Sequence, residues 1–68
     1  MRVGILNNIE GERVGTITEQ DDGTLTGDGI AERLLRQAPG KTFDDWIRTI
    51  HHSTYLRMLE APSGDTTG

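Results

Sequence analysis

The stretch Arg13-Val14-Gly15-Thr16-Ile17-Thr18-Glu19, then Gln20-Asp21-Asp22-Gly23, then Thr24-Leu25-Thr26 carries the architecture of this chain. Val14, Thr16, Ile17 and Thr18 are β-branched, and such side chains suit a pleated, half-buried strand. Asp22-Gly23 supplies the backbone freedom of a tight turn, and Thr24-Leu25-Thr26 resumes the β pattern, so the stretch reads as a hairpin. Upstream, Arg2-Val3-Gly4-Ile5-Leu6 reads as a further short strand with Val3 and Ile5 on one face. Asn7-Asn8-Ile9-Glu10-Gly11-Glu12 lies between the two and is rich in residues that tolerate positive φ. The expected arrangement is a three-stranded antiparallel β-meander.

Val14 and Ile17 are three apart, so a regular strand cannot place both on one face. Either Gly15 marks a bulge or both faces of the strand are covered. The second is the expectation taken, with helix on one face and a partner or loop on the other.

Downstream the period changes. Asp28 suits an N-cap, and Ile30, Ala31, Leu34, Leu35 and Ala38 form one helical stripe that Pro39-Gly40 ends. Thr42 suits the cap of a second helix, with Asp44 and Asp45 in its first turn, where negative charge complements the dipole. Asp45 stands three residues after Thr42, a shortened capping box. Extended through residue 59, this helix places Phe43, Trp46, Ile47, Ile50, Thr54 and Met58 on a stripe about 120° wide. Tyr55, Leu56 and Leu59 fall outside the stripe. Two readings stand: the helix bends near His52-Ser53 or grips the first helix with these residues, or they form a second apolar face exposed for a partner. The fold class expected is α+β, a meander followed by two helices over residues 1–61, with residues 62–68 a disordered tail by composition.

Composition bounds the function. The chain has 68 residues, 32% hydrophobic and 26% charged, with nine Gly, two Pro and no Cys. That length holds one small domain, and without Cys there is neither a disulfide framework nor a thiolate metal site. Unstapled cores of this size rarely supply more than roughly 3–5 kcal/mol. The net charge is −4, and it is uneven. Residues 1–29 set Arg2 and Arg13 against Glu10, Glu12, Glu19, Asp21, Asp22 and Asp28, whereas residues 30–60 hold five cations and four anions. An acidic first half disfavours direct nucleic-acid binding, which needs clustered cations. No long apolar run follows Met1-Arg2-Val3-Gly4, so no signal peptide is expected, and no apolar run approaches the roughly 20 residues of a membrane span. A cytoplasmic or intracellular location is expected, or the virion if the chain is phage-encoded.

No residue set reads as an active site. His51 and His52 point about 100° apart on a helix, and neither has a ligand-type residue at i±4. The pairs Asp21-Asp22 and Asp44-Asp45 suit a turn and a helix start rather than a shared cleft. Ser53 beside His52 has no third group and no nucleophile-elbow glycines. Gly23–Gly29 lacks the lysine of a phosphate loop and the spacing of a dinucleotide turn, and Asp28 begins no calcium ladder. The expectation is no enzyme, no cofactor and no metal. What remains is surface: an open sheet edge, and Tyr55, Leu56, Leu59, Arg48 and Arg57 as partner-binding residues, with Trp46 as core anchor. Tyr and Arg are enriched where binding energy concentrates.

The pattern of a short strand, the hairpin Asp22-Gly23-Thr24-Leu25-Thr26 and then helices in an acidic Cys-free chain resembles small uncharacterised proteins of actinobacterial phages and their hosts. The likeness spans most of residues 1–60, carries over no functional residue, and implies an accessory or virion-associated protein. The leading expectation is a non-enzymatic interaction module that self-associates or docks on a larger protein. The alternative is an acidic inhibitor that mimics nucleic acid through Glu10, Glu12, Glu19, Asp21 and Asp22.

Overall fold

The computed structural model describes residues 1–61. The chain is α+β: β1 Arg2–Asn8, β2 Arg13–Glu19, β3 Leu25–Gly29, α1 Ile30–Gln37, α2 Phe43–His51 and β4 Leu56–Ala61. The strands form one antiparallel sheet in the order β3-β2-β1-β4. The meander is present, but the sheet has a fourth strand.

That strand corrects the second helix. Residues 55–59 are not helical; α2 stops at His51, His52 is its C-cap, and Ser53 turns the chain. The Ser53 Oγ accepts the N–H groups of Tyr55 and Leu56 at 3.1 and 3.2 Å. Beyond it the side chains alternate with a period of two: Leu56 and Met58 pack against the core, while Arg57 and Leu59 are exposed. Pairing of β4 with β1, Leu6 against Met58 and Ile5 against Leu59, satisfies the backbone on one side of β4.

Both helices cover the same face of the sheet. Leu6, Ile17, Ala31, Phe43, Trp46 and Ile50 form the buried core. Ile30, Leu34, Leu35 and Ala38 of the α1 stripe pack around it, with Val14, Leu25, Ile47, Leu56 and Met58. Trp46 is the core anchor expected, 3% exposed, with the Lys41 Nζ 4.6 Å from its ring centroid. Its indole N–H is buried without a partner among the described residues.

The irregularity at Val14 is a bulge, not a strand covered on both faces. Leu6 pairs with Gly15 but Asn7 pairs with Arg13, so Val14 is the extra residue. The bulge lets Val14 and Ile17 pack against one core although three positions separate them.

Asp28 is not the cap of α1. It belongs to β3, where it meets Arg13 at 3.2 Å, and the N-cap is Gly29, whose φ of 58° turns the strand directly into the helix. At α2 the expected cap is complete. The Thr42 Oγ accepts the Asp45 N–H at 3.1 Å and Asp45 accepts the Thr42 N–H at 3.1 Å. The tail at 62–68 lies outside the described residues.

Arg2 ties three elements together. It donates Nε and an Nη to the two Glu60 oxygens at 2.8 and 3.0 Å, and its other Nη to Asp44 at 2.9 Å. Its guanidinium lies 4.5 Å from the Phe43 ring centroid. A forked guanidinium suits this two-bond grip on a carboxylate. The grip holds the Glu60 carboxyl below its usual range, and the Thr42 N–H followed by Arg48 does the same for Asp45. The folded-state values are depressed, so this stabilisation is complete above the unfolded values near 4.5 and 3.8. It is lost as pH falls through the lower folded values. The urea midpoint is therefore expected to stay level from pH 7 to about 5 and fall below about pH 4.5; a midpoint that rises on acidification would contradict the pairing.

Candidate functional site

The alternation that buries Gly4 and Leu6 on β1 turns Val3, Ile5 and Asn7 to the opposite face. Residues directly paired across strands share a face. Val3 pairs with Thr18 and Ala61, and Ile5 with Thr16 and Leu59. Thr16 and Thr18 pair in turn with Asp28 and Thr26 of β3. The face away from the helices thus has an apolar half, Val3, Ile5, Leu59 and Ala61 on β1 and β4, beside a threonine half on β2 and β3. No described element covers it. Leu59 is 59% exposed, while Val3, Ile5, Thr16, Thr18 and Ala61 are half-buried by their neighbours.

The residues expected to bind a partner divide among different environments. Leu59 and Arg57 belong to the open face of β4, and Tyr55, 76% exposed, precedes that strand. Leu56 is half-buried on the helix-facing side and packs against the core. Arg48 is exposed on α2 and paired with Asp45 at 3.1 Å. No single surface gathers all five. Val3 and Ile5 were missed because their role as an apolar face depends on β4 arriving beside them; Ile9, 66% exposed in the β1–β2 turn, was missed as well.

The other polar candidates have structural bonds. Asp22 accepts the Thr24 N–H at 2.9 Å, which lowers its pKa and closes the β2–β3 turn. Asp21 meets the N-terminal amine at 3.4 Å, and Asp44 meets Arg2. His51 and His52 are exposed, their rings edge to face at 5.6 Å between centroids. Among the described residues no group of three His, Cys, Asp or Glu is placed to hold a metal ion, and no helix is long and apolar enough to cross a membrane. The acids of the two hairpins do not share a surface. Glu10 and Glu12 lie in the β1–β2 turn, whereas Glu19, Asp21 and Asp22 lie at the other end of β2.

A groove of about 550 Å³ lies beside the first residues of β4, with Ile9, Ile50, His51, Leu56, Arg57 and Met58 among its walls. β4 is an edge strand, so the backbone groups on that side have no strand beside them. No family model, no curated protein and no solved structure matches the chain.

Proposed function

We propose that the protein is a non-enzymatic protein–protein interaction module, a small structural or assembly component that self-associates through the open face of its sheet. The observation that carries this reading is the uncovered apolar half of that face, Val3, Ile5, Leu59 and Ala61. Chains with so small a core commonly gain stability by oligomerising. Here two helices supply a layer on one side only, and a second copy is the natural second layer, sheet on sheet. The apolar half meeting the apolar half of another copy leaves Arg57 and the Arg13–Asp28 pair at the margins, where they remain solvated. Four strands of five to seven residues make a face of about 19 Å by 20 Å. That is below the roughly 1,200 Å² at which stable interfaces begin, so the association is weak and depends on concentration. A virion-associated component is the most concrete version of this role.

Leu59→Asp places a carboxylate within the proposed contact without touching the core. The variant is expected to keep the circular dichroism of the wild type and to remain monomeric by light scattering at concentrations where the wild type dimerises. A variant that associates like the wild type would show that the face is not the contact.

A further inference from the structure

We infer that the free edge of β4 accepts an extended segment of a partner protein, one that carries a carboxylate between two apolar side chains. This edge is distinct from the open face, so the inference goes beyond self-association.

The backbone of β4 supplies the first half of the recognition. The Leu56 N–H turns away from β1 to the Ser53 Oγ, so the antiparallel alternation leaves Met58 and Glu60 with their N–H and C=O groups on the free edge. A strand laid there gains main-chain hydrogen bonds of the kind used in β-augmentation. The other edge is a poorer template: β3 runs without a loop into α1, and two of its five residues are glycines.

Side chains supply the second half. An added strand repeats the alternation of β4. The residues beside Leu56 and Met58 point to the helix side, where Ile9, Ile50, Leu56 and Met58 wall the groove. The residue between them lies beside Arg57 on the other face. The Arg57 side chain is exposed and makes no hydrogen bond or ion pair among the described residues, although its backbone pairs with Asn7. On a chain of net charge −4 the walls of this groove include no carboxylate, and besides Arg57 they include His51. An acid directly across from Arg57 is the favourable cross-strand pair. The preferred segment is apolar–acidic–apolar in alternation.

A second copy of this chain does not supply that segment. Two β4 strands paired antiparallel about a two-fold axis keep the same faces together, so among the described residues Tyr55, Arg57, Leu59 or Ala61 of the copy can oppose Arg57, and none of these is acidic. Glu60 points to the helix side and is held by Arg2. The occupant is therefore a different protein.

The test uses the full chain and the blocked peptide acetyl-Thr-Val-Glu-Val-Thr-amide, with amide and methyl shifts followed by NMR at a protein concentration below self-association. The expected result is saturable binding with shifts at Arg57–Leu59 and Ile50. The same peptide with Lys for Glu should bind at least tenfold more weakly, and Arg57→Glu should reverse that preference. The rearranged peptide acetyl-Val-Thr-Glu-Thr-Val-amide, which sets threonines against the apolar wall, should also lose affinity severalfold. Equal binding of the Glu and Lys peptides, shifts confined to other surfaces, or no binding at millimolar peptide would overturn the inference. Peptide binding by a chain that stays monomeric at every concentration would retain this inference and remove self-association; dimerisation without peptide binding would do the reverse.

Discussion

Phe43→Ala is expected to unfold most of the protein at 25 °C. Phe43 is 1% exposed and is the largest fully buried side chain. Phe-to-Ala changes in cores cost about 3–5 kcal/mol, which matches the whole stability of roughly 3–5 kcal/mol available to an unstapled chain of this size. The loss extends beyond the cavity. The ring lies under Arg2, and Arg2 holds Glu60 of β4 and Asp44 of α2. Removing it takes away the surface against which the guanidinium is ordered, a contact worth about 0.5–1 kcal/mol at an exposed site. Far-UV circular dichroism and urea titration at a fixed protein concentration provide the check, because association would otherwise shift the midpoint. A variant that unfolds cooperatively within about 1 kcal/mol of the wild type would mean that the core tolerates cavities far better than such cores do.

Gly15→Ala should have the next largest effect, although it adds only one methyl group. A Cβ on Gly15 would stand 2.8 Å from the Asp28 carbonyl oxygen, 3.0 Å from the Ala31 amide nitrogen and 3.2 Å from that of Ile30. All three atoms are backbone, so no side chain can swing aside. Gly15 pairs with Gly29, the residue at which β3 becomes α1, and the pair lets strand and helix start pass close together beside the bulge. Separating them costs about 1–3 kcal/mol by the usual scale of overpacking. Gly40→Ala is the control: it has open space and no positive φ, and is expected to be neutral or stabilising by up to about 1 kcal/mol. If both alanines lower the urea midpoint equally, the close approach at Gly15 is not what makes that position sensitive.

The parts of the fold legible in the sequence are those set by chemistry a few residues apart. Asp22 closing the β2–β3 turn, Thr42 and Asp45 capping α2, and the α1 stripe all depend on short spacings. β4 was not legible for two reasons. Thr54 and Met58 continue the i, i+4 run begun at Ile50, so a period of 3.6 hides a period of two in Leu56, Arg57, Met58 and Leu59. The strand is also stabilised by β1, about 50 residues away in sequence, and local patterns carry no trace of that pairing. The candidate site shows the same division. Tyr55, Leu59 and Arg57 stood out as residues a small core does not absorb, yet the surface they border depends on Val3 and Ile5, which only the sheet order brings beside Leu59. The Arg2–Glu60–Asp44 cluster is wholly a product of that order.

The account rests on the apolar half of the open sheet face being a contact between copies of the chain. Light scattering across a concentration series, on the wild type and on Leu59→Asp with circular dichroism of each sample, tests it most directly. The account predicts a wild-type mass that rises from monomer to dimer with concentration, and a folded Leu59→Asp chain that stays monomeric. A wild type that remains a folded monomer throughout, or a Leu59→Asp chain that dimerises alongside it, would contradict it.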